Sequence, residues 1–389
     1  MRIKTITCHD VCNYGASLQA YALQQYLQEL GNEVEIIDYL PAYKPPRHAM
    51  TNFYNSGNAA RVYRIAPWLR LPMAFVQNLD QLKYQCRRRA FAAFKKNYLQ
   101  VSECVYNSNA EMTEGCPPHP VSQLDADLYI AGSDQIWNPH YGNGTDPAYY
   151  CSFVGDSRRC ISYAASFGLS VLPDADIPFV KEHLKNFRSL AVREKTGVAI
   201  AEALGFKATQ VVDPVLLLSR EEWQQICAPR AEAADYLLVY DFLQNVPQVE
   251  ILAKRIASSE GLRIISLNDD KPCRYADKNV NNAGPQEFLS YIRHARHVLC
   301  TSFHATAFSV IFGKDFYTFP MKGHKNSSRM TDFLSSVDLS SRFVADTLPE
   351  EFLPVDYEHV YSLLDEEIRR SKEWLCSEID RSVESEKTL

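Results

Sequence analysis

The sequence has 389 residues, 46% of them apolar and 23% charged, which is typical of a globular protein of about two to three domains. These proportions exclude a wholly disordered, collagenous or coiled-coil chain. The 41 basic and 47 acidic residues leave a net charge of −6, which argues against a dedicated nucleic-acid-binding protein, so no nucleic-acid partner is expected.

Short runs rich in Val and Ile alternate with helix-period segments, a pattern that predicts an α/β fold with parallel sheets. The predicted strands cover residues 2–8, 33–39, 127–133, 158–166, 189–193, 208–214, 235–242, 262–268, 297–301 and 315–319. The predicted helices cover residues 17–30, 195–204, 246–259, 285–295, 303–312 and 355–385.

A polar, Ala-rich stretch at 219–234 separates two series of alternating strands and helices. We therefore predict two Rossmann-like domains that face each other across a cleft, at residues 1–218 and 219–345. The remaining residues, 346–389, form a C-terminal helical segment that is expected to pack back on both domains.

A basic segment, expected to form a helical insertion at about 45–100, interrupts the first series. Its nine basic residues stand against one acid, Asp80, and they are Arg61, Arg64, Arg70, Lys83, Arg87, Arg88, Arg89, Lys95 and Lys96. Four aromatic residues lie among them: Trp68, Phe75, Phe91 and Phe94. The segment is either a solvated helix face or a patch that contacts an anionic membrane surface.

Targeting and metal-binding signals are missing from the sequence. No run of about 18 apolar residues occurs and no signal-peptide pattern opens the chain, so we expect a cytoplasmic protein. Peripheral contact with the inner face of the cytoplasmic membrane remains open through the basic segment. The eleven cysteines form no CxxC pair, so we expect reduced thiols and no metal site.

Ligands of open α/β sheets bind where strands end, so polar residues that follow strands are candidate site residues. The turn at 13–20 places Asn13, Tyr14 and Gln19 beside Gly15, with Ser17 as the predicted helix cap. After the strand at 127–133 comes a cluster that suits a sugar, with an aromatic platform and hydrogen-bonding groups: Ser133, Asp134, Gln135, Trp137 and Asn138. An ordinary capped turn and an Asx turn over a buried Trp are the structural alternatives.

Two further strand ends carry groups for anions and proton transfer. Arg193 opens a helix after a strand and can clamp an anion, or it can pair with Glu194. Thr301 ends a strand, Ser302 is a plausible helix cap, and His304 in the first helical turn can exchange a proton beside a bound phosphate. A structural role for this histidine is the alternative.

Six segments together resemble the polysaccharide pyruvyl transferase family. They occur in the family's order, and from the first to the last they span most of the chain: NYGASLQAYALQQYL, AGSDQIWNP, SYAASFG, AVREKTG, VVDPVLLL and TSFHATAFSVIFGKDF. The resemblance implies a GT-B-like fold. It also implies a transferase that moves a pyruvyl group from phosphoenolpyruvate, a co-substrate rather than a cofactor, to a sugar of a cell-surface polysaccharide precursor, forming a ketal.

One departure from the family pattern concerns the donor. Members often carry an Arg two residues before the histidine, and here that position is Ser302. Arg329, in a segment that resembles a downstream family motif, is the preferred substitute, with Arg193, Lys314 and Lys322 as alternatives.

These considerations assign roles to the candidate residues. His304 is the expected acid or base and Asp134 the second candidate. The expected donor-binding residues are Arg193, Arg329, Thr301 and Ser302. The expected acceptor-binding residues are Asn13, Tyr14, Gln19, Ser133, Gln135, Trp137 and Asn138. Two other functions remain open: a GT-B glycosyltransferase that uses a nucleotide-sugar, and a non-catalytic glycan-assembly protein of the same fold.

Overall fold

The structure of the protein is a computed structural model, which describes residues 1–41, 43, 85–115, 124–268, 271–321 and 328–387. Within these residues two fully parallel sheets form. The first sheet contains β1 (Arg2–Ile6), β2 (Glu33–Tyr39), β3 (Val101–Tyr106), β4 (Leu128–Asp134), β5 (Cys160–Ala165), β6 (Leu190–Val192) and β7 (Ala208–Gln210). The second contains β8 (Tyr236–Tyr240), β9 (Arg263–Leu267), β10 (Lys278–Val280), β11 (His297–Cys300) and β12 (Asp315–Thr318).

Both sheets have the same core topology. The first has the order β3-β2-β1-β4-β5-β6-β7 and the second the order β10-β9-β8-β11-β12. In each sheet the chain therefore starts at a central strand, moves outward on one side, and then crosses back to the other side. Every residue of β5 and β8 is buried, as expected for strands covered by helices on both faces. The two-sheet, Rossmann-like architecture predicted from the sequence is confirmed.

The helices lie between and outside these strands. They are α1 (Tyr14–Glu29), α2 (85–98), α3 (Asn109–Glu114), α4 (Ile177–Leu184), α5 (Lys195–Ala203), α6 (Arg220–Ile226), α7 (Pro247–Glu260), α8 (Pro285–His294), α9 (Phe303–Ile311), α10 (Ser328–Ser336) and α11 (Tyr357–Lys387). The strands β3 and β10 and the helices α3, α4, α6 and α10 were not predicted from the sequence.

The start of α1 differs from the sequence prediction. Asn13, and not Ser17, is the N-cap, because its Oδ1 accepts a hydrogen bond from the backbone N–H of Ala16 at 3.2 Å. The helix therefore starts at Tyr14, three residues earlier than predicted, and this places Gly15 inside its first turn.

The two sheets share one apolar core at the amino end of α1. The ring of Tyr14 stacks on Phe288 of α8 with centroids 4.4 Å apart, and its hydroxyl donates to the carbonyl of Ala283 at 3.2 Å. Tyr240, at the end of β8, packs edge-on against the same ring. Because Tyr14 belongs to the first sheet's layer and its partners to the second, this stacking fixes the two sheets against each other.

Helix α2 carries part of the basic segment, and it packs between the sheets rather than facing solvent. Arg87 is 4% exposed, and its guanidinium donates to the carbonyls of Asn268 at 2.9 Å and Cys12 at 3.2 Å. The same guanidinium lies 4.7 Å from the centroid of the Tyr14 ring. Arg87 thus joins the second sheet to the first strand–helix turn.

The prediction of a membrane-facing patch is wrong for several residues of α2. Phe91 and Phe94 are buried in the core, so their rings are not available to a bilayer. Lys95 bonds to Asp10 at 2.7 Å and to Asp38 at 2.9 Å. Arg88 is half-buried, and only Arg89 and Lys96 of this helix's predicted basic residues are exposed.

The rest of the predicted patch lies outside the described residues: Arg61, Arg64, Trp68, Arg70, Phe75 and Lys83.

The long helix α11 contacts both sheets along its length. Near its start, Tyr361 donates to the carbonyl of Val310 at 2.9 Å, next to the second sheet. Further along, Ser371 accepts from the N–H of Val212 at 3.0 Å, and Glu378 lies 3.4 Å from Arg188 in the first sheet's layer. Helix α11 thus joins the two sheets, as Arg87 does on the other side of the molecule.

We expect Arg87→Ala to lower the free energy of unfolding by about 2–3 kcal/mol, because two interdomain carbonyls lose a charged donor in a buried position. Chemical denaturation measures this loss. Arg89→Ala removes the same charge from an exposed position of the same helix and should change stability by less than about 0.5 kcal/mol. Equal losses in the two variants would contradict the interdomain role of Arg87.

Candidate active site

Charged side chains meet where the carboxyl ends of both sheets face each other. Asp134 ends β4, Arg193 and Glu194 follow β6, and Asp213 follows β7, all in the first sheet. The second sheet's side contributes residues from the first turns of α9 and α10. We call the six residues the charged cluster: Asp134, Arg193, Glu194, Asp213, His304 and Arg329.

Asp213 lies at the centre of the charged cluster and is fully buried. Its Oδ2 pairs with Nη1 of Arg193 and accepts from Ser133 Oγ at 3.3 Å, while its Oδ1 accepts from the N–H of Val215 at 3.1 Å. Burial would raise the pKa of this carboxyl, but the charges of His304 and Arg193 hold the pKa well below its usual range. Asp213 is therefore a fixed anion.

His304 approaches this anion from the other sheet. Ser302 caps α9 by accepting from the N–H of Ala305, and the cap places His304 at the second helical residue, 6% exposed. Its Nε2 lies 3.6 Å from Oδ2 of Asp213, slightly longer than a hydrogen bond. The imidazole and the carboxylate that faces it thus come from different sheets.

Gly15 in α1 makes room for this histidine. A Cβ added at position 15 would lie 1.9 Å from Nδ1 of His304, far inside van der Waals contact. The first turns of α1 and α9 therefore meet directly, and only a residue without a side chain fits between them.

Two guanidiniums share one aromatic ring and one carboxylate. The Cζ atoms of Arg193 and Arg329 lie 4.8 Å and 6.0 Å from the centroid of the Phe303 ring. Asp134 Oδ1 is 3.7 Å from Nη2 of Arg193 and 3.8 Å from Nη1 of Arg329. Burial and the neighbouring charge of Arg193 lower the pKa of Arg329 to about 10, so it stays protonated at neutral pH.

Glu194 is the third carboxylate of the charged cluster, and groups of the first sheet's layer hold it in place. Its Oε1 accepts from Ser166 Oγ at 2.7 Å and from the N–H of Gly168 at 3.1 Å, and Oε2 lies 3.9 Å from Nε of Arg193. The pairing of Arg193 with Glu194, the alternative to an anion clamp, therefore occurs, but in the interior rather than at the surface.

Several buried polar atoms of the charged cluster have no hydrogen-bond partner among the described residues. They are Nε and Nη2 of Arg193, Nε of Arg329, Oε2 of Glu194 and Nε2 of His304. Burying an N–H of a charged group without an acceptor is costly, so such groups are usually completed by a ligand or by water. Unpaired guanidinium donors suit the oxygens of a phosphate or a carboxylate.

Two aromatic residues predicted to contact an acceptor are in the interior instead. Trp137 is fully buried, stacks on Tyr150 at 5.4 Å, and donates its indole N–H to the carbonyl of Tyr149 at 3.0 Å. With its face packed and its N–H satisfied, it cannot be a sugar platform. Tyr14 is part of the interdomain core, so its predicted acceptor contact is also wrong.

Other predicted acceptor residues bond within the protein. Ser133 is fully buried and donates to Asp213, and Gln19 is fully buried and donates to Thr7 Oγ1 and the carbonyl of Ala16, both at 2.9 Å. Neither side chain reaches the cleft surface, so these two predictions are wrong as direct contacts. Ser133 instead helps to position Asp213.

Of the remaining predicted acceptor residues, Asn138 is buried and Gln135 is half-buried. The side chains of Gln135 and Asn138 bond to each other at 2.6 Å and shape the loop after β4. Asn13 is exposed at the start of α1, next to Gly15. These positions leave acceptor binding as a prediction.

Of the four predicted donor-binding residues, two lie in the charged cluster and two make other contacts. Arg193 and Arg329 come together as expected. Thr301 is buried, and its Oγ1 accepts from the N–H of Phe242 at 3.1 Å, so it supports a loop and the predicted donor contact is wrong. Ser302 is the helix cap described above.

Of the other candidate cations, Lys314 precedes β12 and therefore lies at the opposite edge of the second sheet, and Lys322 is outside the described residues.

Sequence reasoning did not assign Asp213 or Gly15 to the site. Asp213 was placed inside a predicted strand at 208–214, whereas β7 ends at Gln210 and Asp213 follows it. Had the strand been predicted to end at Gln210, Asp213 would have counted among the polar residues that follow strands. The close approach of Gly15 to His304 joins positions far apart in sequence, and no local signal reveals it.

No helix among the described residues has the length and apolar character that crossing a bilayer requires. Nor does any group of three or more His, Cys, Asp or Glu side chains there have a metal-binding arrangement.

Three solved structures illustrate the structural similarity of the chain to known proteins. A putative UDP-N-acetylglucosamine 2-epimerase from Listeria monocytogenes is 8% identical with a TM-score of 0.50, over 96% of this chain and 90% of that one. A UDP-GlcNAc 2-epimerase from Methanocaldococcus jannaschii, solved with UDP-GlcNAc and UDP, is 10% identical with a TM-score of 0.45, over 95% and 93%. The E. coli ADP-heptose LPS heptosyltransferase II is 8% identical with a TM-score of 0.39, over 96% and 100%.

The first of these similarities shows a shared fold, and the arrangement of two Rossmann-like domains facing across a cleft is of the GT-B type. No curated protein shows significant sequence similarity to the chain. A sequence model of the family described as polysaccharide pyruvyl transferase, however, matches residues 13–322, which include every residue of the charged cluster except Arg329. The chain belongs to the polysaccharide pyruvyl transferase family.

Proposed function

We propose that this protein transfers the pyruvyl group of phosphoenolpyruvate to two hydroxyls of a sugar in a polysaccharide precursor, forming a ketal. The observation that carries the proposal is the pair of buried guanidiniums with unpartnered N–H groups, next to a buried histidine, in a chain of this family. Phosphoenolpyruvate carries a phosphate and a carboxylate, and two guanidiniums offer one cation to each.

Arg193 and Arg329 hold the donor in this proposal. The family's usual Arg two residues before the histidine is Ser302 here, and Arg329 supplies the second guanidinium from α10 instead. Phe303 supports this arrangement, because its ring lies beside both Cζ atoms. A guanidinium binds phosphate or carboxylate through two parallel N–H groups, which gives orientation as well as charge.

His304 moves the proton. Nδ1 lies against Gly15, whereas Nε2 faces Asp213 at 3.6 Å and has no hydrogen-bond partner among the described residues, so Nε2 is the nitrogen that exchanges a proton with the substrate. In the first addition a sugar hydroxyl attacks C2 of the enol phosphate, and His304 passes the hydroxyl proton on to the methylene carbon, which becomes a methyl group. In the second, the neighbouring hydroxyl attacks C2 and phosphate leaves with the remaining proton. Asp134 is the second candidate base.

The acceptor enters from the first sheet's side of the cleft in this proposal, where Asn13, Gln135 and Asn138 lie. Peripheral contact with an anionic membrane stays a prediction. Within α2 the basic side chains available for it are Arg89, Lys96 and the half-buried Arg88.

The reaction is tested by incubating the purified protein with phosphoenolpyruvate and a lipid-linked galactoside and following phosphate release. Acceptor-dependent release supports the proposal. Turnover with a nucleotide-sugar alone would identify a glycosyltransferase, and acceptor binding without turnover of either donor would identify a glycan-assembly protein.

We expect His304→Gln to lower kcat by about 10²–10⁴-fold, the usual contribution of a positioned acid or base. Phosphate release under saturating donor and acceptor measures the change, with thermal unfolding as a check on the fold. His359→Gln alters an exposed histidine in α11 and should leave kcat unchanged. A folded His304→Gln variant with wild-type kcat would assign the histidine a structural role.

We expect Arg193→Lys and Arg329→Lys each to raise the Kd of phosphoenolpyruvate by at least about tenfold, because lysine keeps the charge but loses the forked donor. Isothermal titration calorimetry measures the affinity. Arg296→Lys, at an exposed position paired with Glu260, is the matched control. Unchanged donor affinity in both site variants would place the anion site elsewhere.

Gly15→Ala is expected to lower kcat at least about tenfold and to destabilise the fold by about 1–3 kcal/mol, because the new methyl group collides with His304. Adding His304→Ala should remove most of this stability cost, which a double-mutant cycle measures by denaturation. Gly197→Ala, whose Cβ would lie 3.3 Å from Val192, controls for a helical glycine away from the histidine. An additive cycle would disprove the contact.

A further inference from the structure

Asp134 occupies a special place in the charged cluster. One of its oxygens, Oδ1, lies beside both guanidiniums, at 3.7 Å from Arg193 and 3.8 Å from Arg329. Both separations exceed a normal charge-assisted hydrogen bond. Its side chain is 19% exposed, against 0–9% for Arg193, Asp213, Arg329 and Glu194. Asp134 therefore stands at the outer side of the arginine pair.

The charge balance of the charged cluster leaves no room for an added anion. Three carboxylates already face two guanidiniums and one histidine, so the charged cluster has no excess positive charge for a further anion. A donor with a phosphate and a carboxylate would bring two further anionic groups into a buried space, where like charges repel strongly. Binding at the arginines therefore requires one of the three resident carboxylates to withdraw.

Asp134 is the carboxylate that can withdraw. Asp213 is held by Arg193, Ser133 and the N–H of Val215, and Glu194 is held by Ser166 and the N–H of Gly168. Among the described residues, no group donates a hydrogen bond to the Asp134 carboxylate. Its side chain can rotate towards solvent without breaking a hydrogen bond.

The backbone at Asp134 holds the side chain in this place. Its φ is +63°, in the left-handed region that non-glycine residues seldom adopt. Its carbonyl accepts from the N–H groups of Ile136 at 2.9 Å and Ser166 at 3.0 Å, so the strained turn is fixed while the carboxylate is not. Backbone conformations of this kind cluster at functional sites, which favours a functional role for Asp134.

We propose that Asp134 is an internal counter-ion of the Arg193–Arg329 pair, and that an anionic group of the donor displaces it on binding. Before binding, its carboxylate offsets the repulsion between the two guanidiniums. After transfer it competes again for the arginines and helps inorganic phosphate to leave. The identity of the donor rests on the proposed function, but the displacement itself concerns any phosphate or carboxylate ligand.

Asp134→Asn tests the displacement. Asparagine has the same shape and tolerates a positive φ, so the turn is kept while the charge is lost. Calorimetric titration with phosphoenolpyruvate and, separately, with inorganic phosphate should give Kd values at least about tenfold lower than in the wild type. Product inhibition by phosphate should strengthen by a similar factor.

Asp156→Asn is the matched control. It removes one carboxylate charge from an exposed ion pair with Arg158, before the amino end of β5 and so at the opposite edge of the sheet. Its anion affinities should equal those of the wild type. If both variants bind tighter by the same factor, the overall charge is responsible and the displacement is disproved.

Other outcomes separate this inference from the proposed function. An Asp134→Asn variant with unchanged or weaker anion binding overturns the displacement, and a slower single turnover without tighter binding identifies Asp134 as the base. Absence of binding of either anion by both the variant and the wild type also overturns it. If the wild type releases no phosphate from phosphoenolpyruvate while Asp134→Asn binds inorganic phosphate more tightly, the proposed function fails and the counter-ion role stands.

Discussion

The buried ion pair between Arg193 and Asp213 is the contact on which the rest of the site depends. It joins the residues that follow β6 to those that follow β7, and it turns a carboxylate towards the other sheet, where His304 meets it at 3.6 Å. Removing one partner of a buried pair leaves an uncompensated charge in the interior and typically costs about 3–5 kcal/mol. Changes at this pair should therefore affect stability and activity together.

The interdomain contacts explain how the two sheets can hold a shared site. Arg87 fastens α2 to both sheets on one side, and α11 contacts both on the other. Between them, Tyr14 stacks on Phe288. Contacts of this kind limit the freedom of the sheets to separate, so the separation of Asp213 from His304 is set by packing far from either residue.

The regular elements were largely predictable because buried parallel strands form short apolar runs between helices with a clear period. The strands β3 and β10 escaped prediction, since the first alternates exposed and buried residues next to the basic segment and the second is three residues long. Helix α2 was predicted as helical, but composition alone does not reveal that Arg87 and Lys95 turn inward to carbonyls and carboxylates.

The site was predictable only in part. Arg193, Arg329, Asp134 and His304 were singled out because they follow strands or lie in family motifs, and the structure brings these four residues together. Trp137 was misassigned because the sequence pattern, an aromatic residue beside amides, does not distinguish a residue that stacks on a sugar from one that packs in the core. Asp213 was missed because its local sequence, VVDP, looks like the interior of a strand.

The fit of Gly15 under His304 links two positions that are 289 residues apart in the chain. The histidine needs a glycine opposite it, and the three atoms that a side chain at position 15 would meet first all belong to that histidine. In related chains that have lost the histidine, the glycine position should therefore be free to vary, whereas chains that keep the histidine should keep both. The pair of positions then offers a way to separate active from inactive relatives by sequence.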